Sequence, residues 1–144
     1  MRRIGEMTLF IGHAGDLRDV RGLHAAGIAA VVDLAANEPP STLTRDLAYC
    51  RLPLVDGPGN PEWLLRAAVM LVSGFVRENV PCLVCCSGGM SRSPAVAAAA
   101  IARVRSIEPN AALEQVAVAG AIDVSPGLWR EVEGISLAVD PEVG

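Results

Sequence analysis

The 144-residue chain contains no lysine, and all twelve of its basic residues are arginine. That absence excludes Schiff-base chemistry and the lysine of a nucleotide-binding phosphate loop. Histidine occurs only at positions 13 and 24, which argues against zinc centres built on several histidine ligands. Aromatic residues make up 3% of the chain and charged residues 19%, with a net charge of -4. Nucleic-acid-binding modules rest on basic stripes or stacking aromatics, so no nucleic-acid partner is expected. Long apolar runs are missing as well. The longest, Ala95 to Ala102, falls well short of the roughly 20 residues that cross a bilayer, and no membrane partner is expected. No apolar segment of the kind that secretory signals carry comes after Met1-Arg2-Arg3.

Hydrophobic residues make up 51% of the chain, enough for a packed core resting on Ala, Val, Leu and Ile. The length suits a single domain over 1–144, expected to be monomeric. Cysteines stand at 50, 82, 85 and 86, with three of the four crowded into five residues. A secreted disulfide scaffold spreads its cysteines, so the expected setting is reduced and cytoplasmic.

Along the chain, short apolar runs alternate with helical patterns. Thr8-Leu9-Phe10-Ile11, Ala29 to Leu34, Tyr49 to Val55 and Pro81 to Cys85 read as strands. Asp16 is expected to cap a helix running to Ala26, which Gly27 stops. Pro61 opens a helix with Leu64, Leu65, Ala68, Leu71, Val72 and Phe75 on one face. An Ala-rich helix spans Ser93 to Arg105, Asn110 caps another to Ala119, and Ser125-Pro126 opens the last. Such alternation predicts an α/β fold, with one central, mostly parallel (mixed) sheet of four to five strands flanked by helices. Ligands of such sheets bind beyond the carboxyl ends of the strands.

The fourth of these strands leads directly into Cys86-Ser87-Gly88-Gly89-Met90-Ser91-Arg92-Ser93-Pro94. Every position has a physical role if the ligand is a phosphate. Gly88 and Gly89 permit positive φ and close backbone approach to an anion. The amides from Ser87 through Gly88, Gly89, Met90 and Ser91 to Arg92 can line one concavity at a helix N-terminus. Arg92 offers a planar fork to two phosphate oxygens, whereas an anion-free helix start disfavours a cation. That electropositive cradle favours the thiolate of Cys86, a nucleophile aimed at phosphorus.

The string C-S-G-G-M-S-R-S-P resembles the loop of the dual-specificity branch of the cysteine-based protein tyrosine phosphatase superfamily, H-C-x-x-G-x-S-R-S. Leu9-Phe10-Ile11-Gly12, Leu23 with Gly27-Ile28, Val31-Val32-Asp33-Leu34 and Pro109-Asn110 extend the likeness over roughly 110 to 130 residues. The resemblance implies a protein tyrosine phosphatase-like fold. Its implied activity is hydrolysis of phosphotyrosine and phosphoserine or phosphothreonine in proteins or peptides through a phosphocysteine, with no cofactor and no metal. By the same resemblance Cys86 is the nucleophile, Arg92 the phosphate clamp and Ser93 the hydroxyl that eases thiolate release. The general acid of that family lies on a mobile loop about 30 residues upstream. Asp56 stands thirty positions before Cys86, at the start of Asp56-Gly57-Pro58-Gly59-Asn60-Pro61. One departure stands out: Cys85 occupies the place of the family's histidine. A thiol is a much weaker donor, which implies a slower enzyme.

Other readings compete at several residues. Asp56 before Gly-Pro also fits an ordinary turn. Cys82-x-x-Cys85 has the spacing of a metal or redox pair, yet i and i+3 of a strand face opposite ways, so both fit a core better. Cys50 or Cys85 could trap oxidised Cys86 as a disulfide, and Cys50 on a neighbouring strand suits this better than an adjacent residue. His13 and His24 have no assigned role, Asp33 reads as a turn or cap carboxylate, and Trp129 as a packing residue. Two further function classes are a phosphoresidue-binding pseudo-phosphatase and a rhodanese-like sulfurtransferase. The loop interior lacks basic residues, which disfavours highly anionic substrates, and the short chain suggests a shallow cleft.

Overall fold

The computed structural model describes residues 1–137. Five strands, β1 (Arg2–Arg3), β2 (Leu9–His13), β3 (Ala30–Ala35), β4 (Ala48–Leu54) and β5 (Cys82–Cys86), form one sheet in the order β1-β2-β5-β3-β4. β1 runs antiparallel to β2 and every other neighbour pair is parallel, so the sheet is mixed, as expected. The uninterrupted apolar runs occupy the interior. β3 and β5 are buried at every residue because helices cover both faces, and such strands need no polar side.

One face carries a 3-10 turn over Ala14–Arg18 and α1 (Val20–Ala25). They close a small core of Leu17, Leu23, Ile28, Val31, Leu47, Leu83 and Cys85. The other face holds α2 (Glu62–Arg77), α3 (Arg92–Arg105), α4 (Pro109–Ala119) and α5 (Pro126–Leu137) over the larger core. α3 is central there, touching the sheet and all three other helices of that face. Its residues Ala95 to Ile101 are wholly buried, which explains the alanine run. A helix enclosed on all sides must be apolar all round, and methyl side chains let four neighbours approach it closely.

Three expectations about local structure need correction. The helix expected from Asp16 to Ala26 is divided. His13 caps the 3-10 turn through a bond from Gly15 N to Nδ1 (3.0 Å), and Asp19 caps α1 by accepting from Gly22 N (3.0 Å). Asp16 instead accepts from His13 N at 2.9 Å. The competing acceptor at Asp19 restarts the helix three residues later. Asn110 does not cap α4, which starts at Pro109. Its Oδ1 accepts from Trp129 Nε1 at 3.1 Å and ties α4 to α5. Asp33 is neither turn nor cap: it lies buried within β3, accepting from Tyr49 Oη (2.5 Å) and Ala35 N (3.1 Å).

The enclosure of α3 yields a direct test. Ala98→Leu inserts three heavy atoms where no space exists and is expected to lower the unfolding free energy by about 1–3 kcal/mol. Chemical denaturation measures this, and an unchanged midpoint would contradict the packing described.

Candidate active site

The parallel strands β2, β5, β3 and β4 end along one edge of the sheet, and the residues just past them line a cleft of about 470 Å³. Asn37 lies just past β3, Asp56 just past β4, and Cys86 ends β5. Cys86 lies at the floor, 2% exposed. Every residue from Cys86 to Arg92 lines the cleft except Gly89, which supports it, and Ser93 and Pro94 are buried in α3.

Gly89 has φ +72°, and a Cβ there would stand 2.7 Å from Gly12 O. It therefore meets both conditions that only glycine satisfies, a left-handed backbone and contact with another strand. Gly88 differs: its φ lies outside the left-handed range, and a Cβ would meet nothing within 4 Å. The left-handed conformation expected of both glycines holds for Gly89 alone.

The loop carbonyls are bonded outward. Ser87 O accepts from Ala14 N (3.3 Å), Gly89 O from Arg2 Nη2 (2.9 Å) and Met90 O from Asp123 N (2.8 Å). In a trans peptide the next N–H points away from the carbonyl, so the amides of Gly88, Met90 and Ser91 are directed opposite to those partners. Among the described residues no acceptor takes an amide proton from Ser87 to Ser91. These donors lie beside the N-terminus of α3, whose dipole adds positive potential.

Arg92 completes the cradle. It is 5% exposed, and its Nη1 donates to Asn37 Oδ1 and Leu54 O, each at 2.9 Å. Its Nε has no partner, and no carboxylate among the described residues pairs with it. A buried guanidinium with an open donor and no counter-ion is set up for an anion. Ser93 is fully buried with an unpartnered Oγ directly behind Arg92 in sequence.

Asp56 is brought to the loop from β4. Ser91 Oγ donates to its Oδ1 at 2.6 Å and accepts from Ser125 N at 2.9 Å, so one hydroxyl joins the Asp56 loop, the loop after Cys86 and the start of α5. Asn60 holds the other side of that loop, accepting from Val55 N (2.9 Å) and donating to Val55 O (3.0 Å).

Three residues of the site escaped the sequence reading: Asn37, Glu38 and Asp123. Ser87 Oγ donates within 3.1 Å of Asn37 Oδ1 and Glu38 Oε1, and Asp123 lines the cleft from the α4–α5 connection. The position of Asn37 just past β3 was the available signal, since the strand ends mark the ligand edge. No local pattern identifies Asp123.

The other cysteines separate from the site. Cys82 and Cys85 face opposite cores, which removes the metal or redox pair. Burial pushes the Cys82 thiol up to about 12, and burial with the nearby Asp33 charge pushes Cys85 up further. Cys85 thus stands as a neutral, enclosed thiol where the resemblance has histidine. Cys50 is not on a strand neighbouring Cys86. β3 intervenes, and Cys50 is level with Val84, so the two lie at least two strand spacings apart, roughly 10 Å. That exceeds the reach of a disulfide, and Cys85 points to the other face, so neither is placed to trap Cys86.

No family model matches the chain. Among curated proteins it is similar to dual specificity phosphatase 28 of Homo sapiens, with 28% identity over 128 residues covering 88% of this chain and 72% of the relative. The Mus musculus protein of the same name is 29% identical over 128 residues, covering 88% and 78%. The crystal structure of human DUSP28 superposes with a TM-score of 0.83 at 26% identity, covering 94% of this chain and 95% of that one. A mouse putative dual specificity phosphatase complexed with zinc tungstate gives 0.82 at 28% identity, covering 94% and 85%.

This geometry carries two expected outcomes. Gly89→Ala is expected to cost about 1–3 kcal/mol of stability, whereas Gly88→Ala stays within about 0.5 kcal/mol, as read by urea unfolding. Equal effects would contradict the loop conformation. Stability is also expected to fall above about pH 9, where the unfolded chain releases the Cys82 and Cys85 protons and the folded chain retains them. The contribution is fully present below the unfolded pKa and is lost at about 1.4 kcal/mol per pH unit for each thiol as pH rises above it. Urea midpoints at pH 8 and 10 should drop less in Cys82→Ala/Cys85→Ala than in the native chain, and an equal drop would count against it.

Proposed function

We propose that the chain, a member of the dual-specificity branch of the cysteine-based protein tyrosine phosphatases, hydrolyses phosphomonoesters on protein tyrosine, serine and threonine through a phosphocysteine. The observation that supports this most is the set of unpaired donors around Cys86: the loop amides and the counter-ion-free Arg92. They match the three non-bridging oxygens of a phosphoryl group, whose charge they stabilise as it is transferred.

In the first step the Cys86 thiolate forms an S–P bond while the ester P–O bond breaks. The protonated Asp56 carboxyl delivers its proton to the leaving oxygen. Ser91 is the positioning residue for that carboxyl, through the 2.6 Å bond to Oδ1. In the second step the ionised Asp56 takes a proton from water, whose oxygen attacks phosphorus. The S–P bond breaks and phosphate leaves. The buried Ser93 hydroxyl, free of other partners, donates to the departing thiolate. Arg92 and the amides hold the oxygens throughout.

A second reading is a binding module that holds phosphoresidues without turnover. It is favoured by the buried neutral Cys85 at the place of the family's histidine. A sulfurtransferase is not supported, because the chain's relatives are phosphatases.

Hydrolysis of p-nitrophenyl phosphate from pH 5 to 8 separates these readings. Turnover in the native chain, none in Cys86→Ser and a loss of about 100-fold or more with Asp56→Asn are expected. Ser91→Ala should lose more rate on phenyl phosphate than on p-nitrophenyl phosphate, because only the poorer leaving group depends strongly on a well-placed acid. Activity surviving Cys86→Ser would overturn the mechanism. Tungstate binding without turnover at any pH would favour the binding module.

A further inference from the structure

The cradle has one cationic lining residue and an acidic mouth. Among the described residues Arg92 is the only basic one lining the cleft, whereas Asp56 and Asp123 line it as exposed acids. Glu38 adds a carboxylate at the wall beside Ser87. Two other guanidiniums near the loop are held on backbone carbonyls outside the lining. Arg2 Nη2 bonds Gly89 O (2.9 Å) and Ala121 O (3.1 Å), and Arg51 Nη2 bonds Glu38 O (3.0 Å) and Ala35 O (3.3 Å).

The three carboxylates differ in their freedom. Asp56 is bonded by Ser91, and Glu38 by Ser87. The Asp123 carboxylate has no partner among the described residues, while its backbone is fixed by the 2.8 Å bond to Met90 O. Beside these acids stand two exposed apolar side chains that also line the cleft, Val55 at 51% and Met90 at 42%. An apolar ledge next to a free, fixed carboxylate suits a long basic side chain, which lays its methylenes on the ledge and its charge at the carboxylate.

We propose that the cleft selects phosphorylated residues flanked by arginine or lysine, with Asp123 as the specificity-determining carboxylate. The choice of substrate rests on the phosphatase reading of the cleft, although the selectivity itself requires only that phosphoresidues bind. The dianionic phosphate is matched by Arg92, the loop amides and the α3 terminus. Any further negative charge on the substrate faces Asp56, Asp123 and Glu38, so polyanionic substrates are rejected and basic flanks attracted.

Three phosphotyrosine peptides, identical except for Arg, Ala or Glu on both sides of the phosphoresidue, test this. Two readouts are taken: kcat/KM with the native chain and Kd with Cys86→Ser, which needs no turnover. Both should rank Arg above Ala above Glu, with steps on the order of fivefold that shrink at 0.5 M salt. Asp123→Asn should compress the series and Asp123→Arg invert it, while Glu114→Gln, an exposed acid on α4, leaves the ranking intact. The same ranking in Kd without turnover would sustain the selectivity and remove the hydrolase reading. Turnover with no dependence on the flanks, or a ranking unmoved by Asp123→Arg, would overturn the inference while leaving the phosphatase reading in place. Tighter binding of a phosphatidylinositol phosphate headgroup than of every peptide would also overturn it.

Discussion

A buried arginine without a counter-ion governs this structure. Placing Arg92 at 5% exposure in the first turn of α3 sets a cation against the positive end of a helix, an arrangement that costs stability in the empty site. The surroundings reduce that cost with neutral acceptors, Asn37 Oδ1 and Leu54 O, and leave Nε open. A carboxylate partner would have stabilised the fold further and filled the place of the anion. Its absence preserves the site.

The rest of the loop obeys the same logic. Gly89 lets the chain turn hard against Gly12, and Ala14, Arg2 and Asp123 each hold a loop carbonyl on the outside. Those bonds come from the first strand, the segment after the second and the connection before the last helix. Remote parts of the chain thus fix a concavity of five residues, which keeps amide donors oriented before any ligand arrives. Below it, the alanines of α3 allow the sheet and three helices to close tightly, and the loop rises from a rigid base.

Ser91 links this base to the Asp56 loop. A single hydroxyl donates to Asp56 and accepts from Ser125, so the carboxylate, the cradle and α5 share one joint. The acidic mouth belongs to the same arrangement. The segment that supplies the Ser125 amide also carries Asp123 to the edge of the cleft, and its position is fixed through Met90.

Much of this was legible in the sequence. The alternation of short apolar runs with helical periods pointed to the mixed α/β sheet, because strand burial and helix amphipathicity are written locally. The place of Cys86, the loop and Arg92 at the cleft was legible for a related reason: a turn between a strand and a helix is built from consecutive residues. Asp56 was readable only through a spacing borrowed from a family. Strand order was not readable, and it decided that β3 separates Cys50 from Cys86 and that Cys82 and Cys85 serve different cores. Nor could any local pattern bring Asn37, Arg2 and Asp123 to the loop, since the bonds of Asn37 and Arg2 join residues 55 and 87 positions apart and that of Asp123 joins two separate loops. Sequence by itself determined the loop from Cys86 to Arg92, because its residues lie on one turn. Tertiary structure alone decided what surrounds them, because a sheet order and a helix junction bring distant residues to one edge.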